Sequence, residues 1–259
     1  MKLRALIFDV DGTLAETEEA QRQAFNETFA AHGLGWEWRR DDYRRLLRTT
    51  GSKERIRAWL SEIGAAGDAI DVPALHAAKT ERYVAILRAG GLALREGVAA
   101  LVTDARAAGL KIAIATTTSR PNVEALCQCC WGRDGDAVFD VIAAGDEVPA
   151  KKPAPDVYLL ALERLGIAPR DAVALEDSRN GVLSAQAAGL RVLVTPSLYT
   201  EHEEFGTAPV LRSLADTPER AAEIDMNEGV LDIIDVKFPS KGTLVTPTFG
   251  NPTGLRFFI

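Results

Sequence analysis

Histidine, cysteine and methionine are scarce in this chain, at three, three and two copies, and no apolar run approaches the length of a membrane span. The histidines, His32, His76 and His202, fall in or near helical or polar segments, away from every predicted strand end. A histidine-based nucleophilic triad is therefore not expected, and all three are read as surface residues. The cysteines, Cys127, Cys129 and Cys130, crowd into one segment with no second pair to complete a zinc site. That segment follows Pro121 and reads as a helix, so the thiols are expected to be packing groups.

Positive charge is also in deficit: 30 Lys and Arg against 37 Asp and Glu give a net charge of -7. This argues against nucleic acid or an anionic membrane as partner. Residues 1–8 lack the apolar stretch of a signal peptide, which sets the expectation of a cytoplasmic enzyme. Plastid stroma is the corresponding expectation for a plant or algal source with a transit peptide removed.

What the chain has is alternation. Arg4–Val10, Lys111–Ala115, Val138–Ala143, Asp171–Leu175 and Arg191–Thr195 read as short buried strands, with helical patterns such as Gly97–Ala108, Asp156–Leu165 and Asn180–Ala188 between them. The pattern predicts an α/β fold with a Rossmann-like, doubly wound parallel sheet whose ligands collect at the carboxyl ends of the strands. Residues 16–90 break the alternation with four helical patterns in succession and read as a small all-helical cap inserted after the first strand. The catalytic core is then 1–15 and 91–225, and the glycine pair at 90–91 suits a hinge. The tail, 226–259, carries strand-like pieces at Val230–Val236, Thr243–Val245 and Leu255–Ile259. An edge hairpin, self-association or poor order all remain open for it. Monomer is the expectation, with a dimer left open.

The chemistry is concentrated at predicted strand ends. Asp9-Val10-Asp11-Gly12-Thr13 closes the first strand. In extended backbone residues i and i+2 share a face, so both carboxylates can address one substrate atom while Gly12 turns the chain away. That geometry suits a carboxylate nucleophile with its own acid/base partner; an acidic turn after an edge strand is the simpler alternative. Thr116-Thr117-Thr118-Ser119 ends the second strand ahead of a helix, where hydroxyls and N–H groups suit either phosphate or N-capping. Lys151-Lys152 precede a Pro-x-Pro segment, and Glu176-Asp177 end a buried strand, where paired carboxylates favour a metal such as magnesium.

Taken in order, Asp9-x-Asp11-Gly12-Thr13, Thr116, Lys152-Pro153 and Glu176-Asp177 resemble the four-motif signature of the haloacid dehalogenase superfamily of phosphohydrolases. The helical insertion is similar to the cap of its β-phosphoglucomutase and phosphoglycolate phosphatase branches. Phe8–Glu18, Ala24–Ala30 and Thr49–Ile56 more closely resemble the CbbY family of carbon-fixation operons, which removes the C1 phosphate of xylulose bisphosphate, an inhibitor of rubisco. The resemblance implies catalytic roles for Asp9 as nucleophile, Asp11 as acid/base, and Thr116 and Lys152. It implies Mg²⁺ held by Asp9, the Asp11 carbonyl, Asp177 and Glu176. It implies contacts to a small phosphorylated sugar from Glu16, Tyr43, Gly51, Lys53, Arg55, Lys79 and Thr117. The competing readings are a sugar-phosphate mutase, a phosphoglycolate phosphatase and, more distantly, a non-catalytic binding protein. β-Phosphoglucomutase carries a histidine in its first cap helix where Gln21 aligns, which favours hydrolysis here.

Overall fold

The computed structural model describes residues 3–65 and 70–215. Five parallel strands, β1 (Ala5–Phe8), β2 (Lys111–Ala115), β3 (Val141–Ala143), β4 (Ala172–Glu176) and β5 (Arg191–Val194), form one sheet in the order β3-β2-β1-β4-β5. β1 is central, with Phe8 level with Ile114 of β2 on one side and Leu175 of β4 on the other. Strand order reverses beside β1, and a crevice opens at such a switch point. The end of β1 therefore becomes the floor of the site.

Alternation within the strands sorts large from small side chains. Leu6, Phe8, Ile112, Ile114, Val173 and Leu175 share one buried face, covered by α5 (Val98–Ala107) and α6 (Arg120–Trp131). Ala5, Ile7, Ala113, Ala115, Ala172 and Ala174 form the other, covered by α8 (Asp156–Leu165) and α9 (Arg179–Ala187). The alanine-rich face lets Tyr158 of α8 lie against the sheet with no exposed surface. Val138, expected to begin a strand, instead ends the one-turn helix α7 (Gly135–Val138), and β3 starts at Val141.

Among the described residues four helices precede α5 in the stretch between β1 and β2: α1 (Glu18–Ala31), α2 (Arg40–Leu46), α3 (Ser52–Glu62) and α4 (Val72–Arg88). They enclose an aromatic cluster centred on Trp38, whose ring lies 4.5 Å from Phe25 and 4.9 Å from Phe29. Asn26 fixes the backbone of Trp38 from both sides, accepting its N–H at 2.8 Å and donating to its carbonyl at 3.0 Å. α4 also packs on α6, and its Tyr83 and Leu87 join the core beneath. The two linkers pair through an antiparallel bridge between Ala15 and Leu94. Beyond the bridge Gly90 and Gly91 sit at φ +87° and +103° in open space, a conformation that favours glycine.

No helix among the described residues is long and apolar enough to cross a membrane. The cysteines lie on α6 as the sequence implies, and burial pushes the Cys127 and Cys130 thiols up to about 12, leaving them protonated and unreactive. His32 and His202 are exposed, but His76 is half-buried and, contrary to expectation, is not a surface residue. Burial, with Lys79 and Lys53 nearby, lowers its pKa to about 4 and keeps the ring neutral. The strand-like pieces of the tail lie outside the described residues.

Trp38→Ala should lower stability in urea unfolding by ~3–5 kcal/mol, the scale for truncating a buried large aromatic. A loss under ~1 kcal/mol would mean that the cluster does not hold the inserted helices together.

Candidate active site

The residue after β1 meets the last residue of β4. Asp9 N–H donates to the Leu175 carbonyl at 3.0 Å, which sets the Asp9 and Glu176 side chains next to each other. Lys152 reaches between them from the loop before α8, its Nζ 2.6 Å from Asp9 Oδ1 and 2.6 Å from Glu176 Oε1. Tyr158 donates to the same Glu176 oxygen at 2.5 Å, and its ring lies 4.9 Å beneath the ammonium. Asp177 completes the floor, accepting from Thr200 at 3.1 Å. All these groups are buried.

Their electrostatics follow from that burial. Desolvation raises Asp9 to about 8, against the attraction of Lys152 and with repulsion from Glu176 and Asp11 adding to it. Asp177 is raised as well, by burial and then by Asp9 and Glu176. Burial disfavours the Lys152 ammonium too, but its two carboxylate partners prevail and hold its pKa above the ordinary lysine value. One cation thus serves three carboxylates whose oxygens approach within 4.8 Å of one another. Glu176 Oε2 is buried with no hydrogen-bond partner among the described residues. An oxygen-rich, under-neutralised pocket of this kind fits a hard divalent cation.

Asp11 is held from the inserted helices. Thr17 Oγ1 and Gln21 Nε2 both donate to Asp11 Oδ1, the latter at 3.2 Å. Gln21 Oε1 in turn accepts from Lys79, which has no exposed surface and lies over the Phe25 and Tyr83 rings. Burial lowers Lys79 to about 7, so it is poised near neutrality. Lys79 therefore stands behind Gln21 and does not line the cleft.

The cleft above the floor has two walls. Thr117 and Thr118 face it after β2, while the Thr116 hydroxyl is turned to the Thr118 N–H and does not line it. Ser178 and Asn180 face it at the start of α9. Opposite stand Glu18, Gln21, Thr50, Gly51, Ser52 and Arg55. Arg55 is 8% exposed and donates to the Tyr43 hydroxyl at 3.0 Å and the Leu46 carbonyl. Among the described residues no carboxylate lies within ion-pairing distance of it. Tyr43 in turn donates its hydroxyl hydrogen bond to Glu18 at 2.8 Å from behind the wall. Burial, then Asp11, raises Glu18 to about 7.

Several expected contacts are drawn elsewhere. Lys53 does not line the cleft and neighbours His76; Glu16 lies 3.3 Å from Arg95 on the far side of the catalytic loop. Glu18, Gln21, Asn180 and Tyr199 line the cleft without having been singled out as contacts. The Glu16-Thr17-Glu18 run carried the signal for Glu18, because a helix starting at Glu18 aims its first turn at the strand end.

A family model for haloacid dehalogenase-like hydrolases matches residues 3–189. The chain belongs to the haloacid dehalogenase-like hydrolases. It is 54% identical over 215 residues to protein CbbY of Cereibacter sphaeroides, covering 83% of this chain and 94% of that one. Against protein CbbY of Rhodobacter capsulatus the identity is 57% over 208 residues, with 80% and 92% covered. The crystal structure of a mutant CbbY from Rhodobacter sphaeroides in complex with xylulose-(1,5)bisphosphate superposes with a TM-score of 0.80 at 53% identity, covering 83% of this chain and 96% of that one. As a member of this family the chain is a hydrolase with a buried acidic cluster able to bind a metal.

The raised carboxylates set a pH dependence for that metal. Asp9 ionises near 3.8 when unfolded and near 8 when folded, so its contribution to stability is complete below about pH 4 and lost as pH rises through about 8. A cation must displace the protons that Asp9 and Asp177 retain, which becomes easier as pH rises. Calorimetric titration with Mg²⁺ should show affinity rising with pH between about 6 and 8. Affinity independent of pH over that range would place the cation elsewhere.

Proposed function

We propose that this chain is a Mg²⁺-dependent phosphatase that removes the C1 phosphate of xylulose-1,5-bisphosphate through an aspartyl phosphate on Asp9. The observation that carries the reading is a cleft with two ends that suit phosphate, one once a divalent cation joins Lys152 there and the other through its own hydroxyls and guanidinium. At one end lie Asp9, Lys152 and Thr117 with Thr118; at the other lie the hydroxyls of Thr50 and Ser52 and the Arg55 guanidinium, whose hydrogen bonds go to the neutral Tyr43 hydroxyl and Leu46 carbonyl. Glu18 and Gln21 line the space between and offer acceptors and donors to sugar hydroxyls. The likeness to a CbbY solved with this bisphosphate supports the same substrate. In this reading residues 16–90 are the cap, and 1–15 with 91–225 the catalytic core.

The residues divide the work. Asp9 Oδ attacks phosphorus and forms the acyl phosphate while the bond to the C1 oxygen breaks. Asp11 protonates that oxygen as it leaves; because Thr17 and Gln21 both engage Oδ1, Oδ2 is the oxygen that carries the proton. Asp11 then takes a proton from the water that attacks the aspartyl phosphate, releasing inorganic phosphate and restoring Asp9. Lys152, with Thr117 and Thr118, holds the equatorial oxygens, where charge is spread in the transition state. Mg²⁺ would be held by Asp9, Asp177 and the Asp11 carbonyl with Glu176 adjacent, and when bound supplies the positive charge that the three carboxylates lack. Gln21, an amide on Asp11 where β-phosphoglucomutase has a histidine, supports release of phosphate to water over its return to a sugar.

Purified protein should release one phosphate per bisphosphate consumed, and excess chelator should abolish turnover. Asp9→Asn should keep its fold and lose activity; more than a few per cent of wild-type kcat in that variant, or isomerised sugar without free phosphate, would sink the assignment. Arg55 bears on the substrate. Arg55→Met should lower kcat/KM for the bisphosphate by ~1.5–3 kcal/mol, the scale of a hydrogen bond to a charged group, with a much smaller loss on a short monophosphate. Lys53→Ala should change neither by more than about threefold, since it lies off the cleft. Equal losses on both substrates for Arg55→Met would remove the second phosphate from the model of binding.

A further inference from the structure

Arg95 does not line the catalytic cleft, yet its guanidinium gathers the loops that form it. The residue lies on the linker returning from the helical insertion, where its backbone N–H donates to the Leu14 carbonyl at 2.8 Å. Nη1 donates to the carbonyl of Gly12 and to that of Thr195 at 2.7 Å, and Nη2 to that of Pro196 at 2.7 Å. Nε faces Glu16 at 3.3 Å, and Glu16 also accepts from the Leu198 N–H at 3.4 Å. The side chain is 15% exposed.

Each acceptor leads to a group of the site. Gly12 follows Asp11, and a Cβ at Gly12 would fall 2.2 Å from Asp177 Oδ2, so the first loop abuts that carboxylate directly. Thr195 N–H donates to the Glu176 carbonyl at 2.8 Å. The same loop continues to Thr200, which donates to Asp177, and to Tyr199, whose hydroxyl donates at 2.6 Å to Glu19 on α1 and whose ring stands edge-on to Tyr43 at 5.8 Å. Five N–H donors in a fixed fork can satisfy three carbonyls and a carboxylate at once, which a lysine ammonium cannot do with the same geometry. Loss of the fork leaves carbonyls of two loops unpartnered and free to shift.

We propose that Arg95 is a positioning residue: it fixes the Gly12 and Thr195–Pro196 loops against each other, and thereby sets Asp11 and Asp177 in register with the linkers of the cap. The inference rests on the phosphatase reading, and the two fail differently. Absence of phosphate release by the wild-type protein would count against the function, whereas active Arg95 variants would count against this role.

Arg95 lines a cavity of about 290 Å³ with Thr13, Glu16 and Thr195, which gives a small cation access to the space vacated on truncation. In the full chain with Mg²⁺, Arg95→Met should lower kcat by about 10²-fold, the scale of a misplacement near 1 Å, while KM stays within about threefold. Arg95→Lys should fall between wild type and Met. Guanidinium at tens of millimolar should restore part of the kcat of Arg95→Ala, and equal ammonium should not. Wild-type kcat in Arg95→Met or Arg95→Lys would overturn the proposal. So would a fall in melting temperature with kcat of the folded fraction unchanged, or rescue by ammonium as effective as by guanidinium.

Discussion

The structure depends on one ammonium group. Lys152 sits between Asp9 and Glu176 at 2.6 Å from each, in a place from which water is excluded. Without it, three carboxylates at the ends of two adjacent strands would have to bury unpaired charge or take up protons, at a cost to folding. Tyr158 supports the arrangement from α8, and the alanine face of the sheet gives it room to do so. One cation leaves the cluster short of positive charge. The same deficit that burdens folding prepares the site for a divalent ion and for the charge that builds during phosphoryl transfer.

The helical insertion contributes a second layer of control. Its first helix reaches the end of β1 immediately, so Thr17, Glu18 and Gln21 meet Asp11 and the cleft within one turn. Lys79 backs Gln21 from α4, and Tyr43 with Arg55 backs Glu18. Asn180 meets Thr50 at 2.9 Å and Tyr199 meets Glu19, so the two walls of the cleft are joined in this conformation. Remote contacts of this kind let binding energy from a distal phosphate help assemble the acid/base end. Arg95 and Glu16 occupy the point where both linkers and two catalytic loops converge.

The parallel sheet and the helical insertion after its first strand were legible because they rest on local pattern: short continuous apolar runs for strands buried on both faces, and a period near four in helices. β3 was misjudged at its start, where Val138 packs equally well from a single helical turn. His76 was misjudged because a histidine in a polar helix gives no sign of the neighbours that half-bury it.

By itself the sequence determined which strand ends carry carboxylates and a lysine, since such residues so placed have few stable uses other than binding a cation and phosphate. Which cap residues face the cleft was decided by tertiary structure alone. Lys53 and Arg55 are two apart on one helix, and such residues do not share a face. Only the packing of α3 against α2 and α4 turns Arg55 inward and leaves Lys53 beside His76. Glu16 and Glu18 divide in the same way, one on the linker and one on the first helical turn. The phase of a helix about its axis is fixed by its neighbours, and no pattern within the helix records it.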